Sequence, residues 1–251
     1  MMILEAKSLS KEFEGLQAVS QASFSIEKGS ITGLIGPNGA GKTTMFNMIA
    51  GNIKPSSGSI LFDDHEITGK KPHQTFHLGI VRTFQIPRPF PKMTVLENLM
   101  MVPGGQLGER FWNNWLRLQS VLEQEGVLRE RAGQIMEFLK LDQLKNELAS
   151  NLSGGQLKLL ELGRALISDP KLILLDEPAA GVNPVLLEQI IQKIREINQM
   201  GITFLIIEHN MEMVMKLCSP ILVMAEGSIL MQGNADEIRS DKRLLEAFFG
   251  E

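Results

Sequence analysis

Polar and apolar positions follow two rhythms along this chain, and the change of rhythm divides it. Up to about residue 35 the pattern is that of short strands, residues 3–9, 18–26 and 30–35, with the turn residues Lys28 and Gly29 before the last. From Lys171 onward strand-like and helix-like segments alternate: strand 172–175, helix 185–200, strand 202–207, helix 211–217, strand 221–224. Such alternation predicts an α/β domain with a mostly parallel sheet. The helix after Pro184 has the firmest pattern, with Leu186, Ile190, Ile194 and Ile197 recurring at helical spacing. Asn183 can cap it, and Pro184 suits a first turn, where no helical bond needs its missing N–H. From about residue 94 to 167 the period is helical throughout, and Pro87, Pro89, Pro91 and Pro103 with Gly104-Gly105 interrupt the chain near its entry. We therefore expect a single domain over residues 1–251: an α/β core at about 1–86 and 168–251, with a helical subdomain inserted at about 87–167.

Composition narrows the class. The 251 residues are 43% hydrophobic and 22% charged, which suits a globular chain with a sizeable core and excludes wholesale disorder. A net charge of −4 argues against a dedicated nucleic-acid binder, which needs a basic surface. The single cysteine, Cys218, permits no intrachain disulfide and fits a reducing cytosol. The first residues lack a basic flank leading into a long apolar region, so no signal peptide is expected. Apolar runs such as residues 202–207 are strand-length, short of the ~20 residues a membrane helix needs. The chain is not expected to span a membrane, although it could dock on one.

Residues Gly36-Pro37-Asn38-Gly39-Ala40-Gly41-Lys42-Thr43 fit the pattern G-x-x-x-x-G-K-[ST], between an apolar strand (31–35) and a helical stretch (44–50). The glycines let successive backbone N–H groups turn toward phosphate oxygens, and the helix N-terminus adds favourable partial charge. Lys42 supplies a point charge to β- and γ-phosphates, and the Thr43 hydroxyl can ligate Mg²⁺. This loop predicts nucleotide binding without separating an ATPase from a GTPase or a kinase.

The apolar run 172–175 ends in Asp176-Glu177. Alone, such a pair reads as two solvated acids. Strand ends in open α/β sheets face the ligand crevice, however, so beside a phosphate loop the pair is expected at the nucleotide. Adjacent residues of an extended chain point different ways. Asp176 could thus hold a metal ion while Glu177 reaches the attacking water. Glu208-His209-Asn210 follows the run 202–207 in the same way, and His209 could sense a γ-phosphate; His65, His73 and His77 read as surface residues. Gln85, after residues 79–84, could meet metal or water.

One more element decides the class: Leu152-Ser153-Gly154-Gly155-Gln156 at the head of a helical stretch. With the loop before it and the acidic strand after it, the chain resembles the ATP-binding subunits of ABC transporters over almost its whole length. Gly36 to Thr44 match the Walker A loop, Gln85 the Q-loop, residues 152–156 the signature motif, residues 172–177 the Walker B strand and His209 the switch histidine. Phe13 lies where the family places an adenine-stacking aromatic, usually Tyr; this chain has no Tyr, and Phe13 also reads as a core residue. The string Asp176-Glu177-Pro178-Ala179-Ala180-Gly181-Val182-Asn183-Pro184 is similar to the LivG-type subunits of branched-chain amino-acid importers. Ile207-Glu208-His209-Asn210-Met211 resembles their Ile-Glu-His-Asp-Met, with Asn for Asp. Val81-Arg82-Thr83-Phe84-Gln85 and the ending Phe248-Phe249-Gly250-Glu251 are also similar. Urea importers and the lipopolysaccharide-export ATPase share parts of these strings.

The resemblance implies a P-loop NTPase fold, with a RecA-like core, an N-terminal antiparallel β subdomain and an inserted helical subdomain. It implies ATP and Mg²⁺ as cofactors. Phe13, the loop through Thr44, and Ser153, Gly154, Gly155 and Gln156 would contact nucleotide, while Thr43, Gln85 and Asp176 would hold the metal ion and Glu177, His209 and Gln85 would serve catalysis. A second ATPase subunit, the same or a paralogous chain, would pair with it head to tail. Integral membrane permease subunits would place it peripherally on the cytoplasmic face of the inner membrane, with a solute-binding protein as an indirect partner. Motion would reach the permease through Ile86, Phe90, Met93, Val95 and Leu96, or these residues pack the subdomain. Trp112 and Trp115, with Phe111, are read as core or permease-facing. A soluble ABC ATPase acting on DNA or ribosomes fits less well, because there is one cassette and no sustained heptad array.

Overall fold

The computed structural model describes residues 1–83, 88–109, 112, 115 and 117–240. It forms two compact units, Met1–Gln85 with Lys171–Glu251, and Ile86–Pro170. The first begins with a long hairpin of β1 (Met2–Phe13) and β2 (Leu16–Glu27). Glu14 and Gly15 make its two-residue turn, with φ of 46° and 89°. Positive φ at both positions gives the turn a twist that matches the strands. Next come β3 (Ile31–Ile35), α1 (Lys42–Ile49), β4 (Ser57–Phe62), β5 (His65–Glu66), α2 (Pro72–Leu78) and β6 (Ile80–Arg82).

The second unit carries α3 (Val95–Met100), α4 (Leu118–Phe138) and α5 (Gly154–Leu166). Its helices approach closely at Gly163, where a Cβ would stand 2.9 Å from Leu139 and 3.0 Å from Leu99. Asn98 on α3 is fully buried, and its amide binds the backbone of Phe90, Met93 and Thr94. Val95 and Leu96 are buried too, which overturns their expected place on a docking surface: α3 turns that face inward. Phe90 remains exposed. Trp112 and Trp115 are 69% and 86% exposed, so the core reading of these two is corrected. Ile86 and Phe111 lie outside the described residues. Among the described residues no helix is long and apolar enough to cross a membrane.

The chain then returns to the first unit with β7 (Leu172–Asp176), α6 (Pro184–Gln199), β8 (Thr203–Ile207), α7 (Met211–Leu217), β9 (Ile221–Ala225), β10 (Ser228–Gly233) and α8 (Ala235–Ser240). Helix α6 starts as its sequence predicts: the Asn183 side chain accepts from Leu186 N at 2.9 Å, and Pro184 is the first helical residue. Its inward stripe is Leu187, Ile190, Ile191, Ile194 and Ile197, with Leu186 only half-buried. The expected stripe is thus displaced by one residue at its start.

Two sheets result. One is antiparallel, in the order β2-β1-β4-β5; the other has the order β10-β9-β3-β8-β7-β6. The second is parallel throughout except for β10 on β9. Every residue of β3, β7 and β8 is buried, the mark of strands covered on both faces. Helix α1 contributes Met45, Phe46, Met48 and Ile49 to one core cluster drawn from both sheets. Burying each such side chain contributes about 1.5–3 kcal/mol. Ile207 is level with Leu34 on one side and Asp176 on the other, so β3, β8 and β7 end together. Their loops leave at the carboxyl edge, where α/β sheets hold ligands.

Candidate functional site

Between the end of β3 and the start of α1 the chain wraps a loop whose glycines are fixed by close neighbours. A Cβ on Gly36 would stand 2.0 Å from the Met224 carbonyl oxygen, and one on Gly41 would stand 2.3 Å from that of Ala18. Gly41 also takes φ of 97°, the left-handed region that disfavours other residues. The Gly227 amide donates to Ala40 O at 3.2 Å, which ties the β9–β10 turn to the loop. Lys42 opens α1 and is buried, and its Nζ donates to Gly36 O at 2.7 Å and Pro37 O at 2.8 Å. Burial lowers its pKa, and the charges of Glu177 and Asp176 partly oppose that shift. An ammonium held mainly by carbonyls in a desolvated loop is poised for an anion.

The loop forms one wall of a cleft of about 260 Å³, lined by residues 16–18 and 38–44 with Glu177 and His209 opposite. Thr43 is exposed there and Thr44 half-buried. Asn38, Gly39, Ala40, Gly41, Lys42, Thr43 and Thr44 therefore meet as the motif predicts; Gly36 and Pro37 hold Lys42 from beneath.

The opposite wall comes from strand ends. Asp176, the last residue of β7, is buried, and its Oδ2 accepts from Arg82 Nη2 at 2.9 Å. Arg82 closes β6, and its Nη1 donates at 2.5 Å to Asn47 Oδ1 on α1. Glu177 lies just past the strand with φ of 48°. That left-handed turn, rather than the alternation of an extended chain, is what separates the two carboxylates. The Glu177 amide donates to Ile207 O at 2.9 Å, and its Oε1 lies 3.1 Å from His209 Nε2. A carboxylate from the end of β7 thus meets an imidazole from the end of β8 at the rim of the phosphate cleft.

The residues suit a divalent ion of the Mg²⁺ type. Thr43 and Asp176 offer hard oxygen donors, and among the described residues no three or more His, Cys, Asp or Glu cluster as a metal cage. An ion here would draw its remaining ligands from phosphate and water, the usual habit of Mg²⁺. Gln85, expected beside it, lies outside the described residues.

Phe13 ends β1 opposite Leu16, is 40% exposed and has Lys11 Nζ 4.9 Å from its ring centre. The core reading of Phe13 is therefore corrected; the cleft wall on that side is Leu16, Gln17 and Ala18. In the second unit Ser153 caps α5: its Oγ accepts from Gln156 N at 3.4 Å, and Gln156 Oε1 accepts from Ser153 N at 2.8 Å. This reciprocal capping box gives both side chains a structural task, with Gly154 and Gly155 in the first turn. Sequence reasoning assigns no structural task to Arg82, Asn47 or Glu208. A cation closing an apolar strand, and a carboxylate beside His209, were the available signals.

The geometry describes a phosphate loop faced by an acid–histidine pair, and comparison with known proteins gives it a family. The sequence model of the ABC transporter family matches residues 19–180. The chain belongs to the ABC transporter family. Its chemistry is that of the family's ATP-binding chains: it binds ATP and hydrolyses it. A probable branched-chain amino acid transport ATP-binding protein LivG of Archaeoglobus fulgidus is 47% identical, spanning 100% of this chain and 96% of that protein. The high-affinity LivG of Escherichia coli K12 is 37% identical over 99% and 98% of the two chains. Among solved structures, a nucleotide-free ATP-binding cassette from an ABC transporter superposes with a TM-score of 0.87 at 41% identity, covering 100% of both chains. The ADP conformation of such a cassette gives the same values. These neighbours establish the α/β fold of an ABC ATPase.

Proposed function

We propose that this chain is the ATP-hydrolysing subunit of an importer for branched-chain or other neutral amino acids. The observation that carries the reading is the 3.1 Å Glu177–His209 pair facing the phosphate loop, in a chain similar along its whole length to LivG proteins. The loop and Lys42 hold the β- and γ-phosphates. Glu177 takes a proton from water as its oxygen bonds to the γ-phosphorus and the bond to the β-phosphate oxygen breaks. His209, with its proton on Nε2, orients the Glu177 carboxylate and reaches the γ-phosphate. Thr43 and Asp176, with Gln85, would hold Mg²⁺, which supplies positive charge to the triphosphate. Phe13, paired with Leu16 at the end of the hairpin, stacks on the adenine.

Ser153, Gly154, Gly155 and Gln156 contact the nucleotide bound by a second ATPase subunit, the same or a paralogous chain, in a head-to-tail dimer. ATP then favours the closed dimer, because only there does its γ-phosphate touch both chains, and such differential contact is what shifts an equilibrium. The domain plan is a RecA-like core at about residues 1–86 and 168–251 with a helical subdomain at about 87–167. Permease subunits dock near the exposed Phe90 and hold the chain at the cytoplasmic face of the inner membrane, where a solute-binding protein supplies substrate to the assembly.

The test is to purify the tagged chain from detergent-solubilised membranes and to measure uptake of labelled leucine, with labelled urea as control, in cells with and without its gene. Co-purification with an integral membrane permease and loss of leucine uptake alone are expected. Recovery without any permease, or loss of urea uptake instead, would overturn the assignment.

A further inference from the structure

Glu208 is a buried carboxylate, 3% exposed, at the end of β8, and its three hydrogen bonds all come from backbone amides. Its Oε1 accepts from Ala179 N at 2.6 Å; its Oε2 accepts from His209 N and Asn210 N, each at 2.9 Å. Ala179 is two residues beyond Glu177, so the two oxygens grip the two segments from which Glu177 and His209 project. We propose that Glu208 is a positioning residue for ATP hydrolysis, a bracket that fixes the spacing of the Glu177–His209 pair. This rests on the reading of that pair as the hydrolytic one.

The chemistry requires a carboxylate. All three partners donate, and only an ionised acid accepts at both of its oxygens. Glutamine has nearly the same shape but turns one oxygen into a donor. Whichever way its amide faces, one segment then meets N–H with N–H and is released. Aspartate keeps both acceptors but is one methylene shorter, so it can grip only one segment. None of the three bonds goes to residues 36–44, so phosphate binding and the bracket are separable.

The experiment measures kcat for ATP hydrolysis, the equilibrium Kd for ATP and Tm in Glu208→Gln, Glu208→Asp, His209→Ala, Glu177→Gln and the double variant Glu208→Gln/His209→Ala. A lost bracket should lower kcat by about 10- to 100-fold, the scale of an ångström-sized misplacement. ATP Kd should stay within about twofold of wild type. In the His209→Ala background, where the pair is already broken, Glu208→Gln should cost less than about threefold more, the non-additivity expected of residues acting as one unit. Glu208→Asp should show the same selective loss and carries the test if the Gln variant does not fold. Wild-type kcat in a folded Glu208 variant, a loss that follows Kd, or full additivity with His209→Ala would overturn the proposal. Full turnover in both Glu177→Gln and His209→Ala would instead remove the reading beneath it.

Discussion

Residues 38–44 of the cleft are one continuous stretch of backbone, whereas Glu177 and His209 opposite them stand at the ends of β7 and β8 and are braced by side chains behind them. In the loop, neighbouring carbonyls at Met224 and Ala18 leave no room for a Cβ at Gly36 or Gly41, so sterics set the shape. In the acidic wall, Arg82 joins Asp176 to Asn47, Glu208 joins the Ala179 segment to the His209 segment, and Glu177 meets His209. If the loop holds the nucleotide and the acidic wall hydrolyses it, as proposed, binding rests on packed backbone and hydrolysis on a polar network, and the two should fail differently.

The sharpest separation is expected from Glu177→Gln. It should keep ATP binding and lose about 10²–10⁴-fold in turnover, the range for a missing general base. Steady-state hydrolysis beside equilibrium nucleotide binding checks this, and near-normal turnover would take Glu177 out of the role. Arg82→Met comes next, and it attacks the network through stability. Both side chains of the Arg82–Asp176 pair are close to buried, at 12% and 10% exposure. Leaving such a carboxylate unpaired costs about 3–5 kcal/mol. Urea denaturation should show that drop, and an unchanged midpoint would mean that Arg82 does not tie β6 and α1 to β7. The smallest effect belongs to Gly36→Ala. Forcing the loop away from Met224 should cost about 1–3 kcal/mol, as other overpacked sites do. It should also weaken ATP binding, unlike Glu177→Gln; tight binding in this variant would erase the contrast between the walls.

What could be read from sequence follows the same division. Residues 36–43 are contiguous, so motif and flanking pattern locate the loop, β3 and the start of α1 together. The start of α6 was legible because Asn183 and Pro184 act locally. Arg82 was not, since its partner Asp176 becomes a neighbour only once β6 lies beside β7 in the sheet. Glu208 is visible beside His209 in the sequence, but its task is not, because the Ala179 amide it holds lies in a different loop. Val95 and Leu96 show a related limit: helical spacing marks an apolar face without telling whether it turns inward or outward. Ser153 reads from sequence as a helix start and Gln156 as a nucleotide contact, and the structure adds that the two side chains close a reciprocal capping box.

Sharing of one nucleotide between the loop of one chain and the Ser153 helix cap of another is tested most directly by mixing Lys42→Ala and Ser153→Arg chains and assaying ATP hydrolysis. Each variant alone should be nearly inactive, since every site in its homodimer is damaged. With random pairing, half of the dimers are mixed and keep one intact site, so hydrolysis should recover to about a quarter of wild type. Activity in the mixture no greater than that of the separate variants, or wild-type turnover by Ser153→Arg alone, would contradict a site built from two chains.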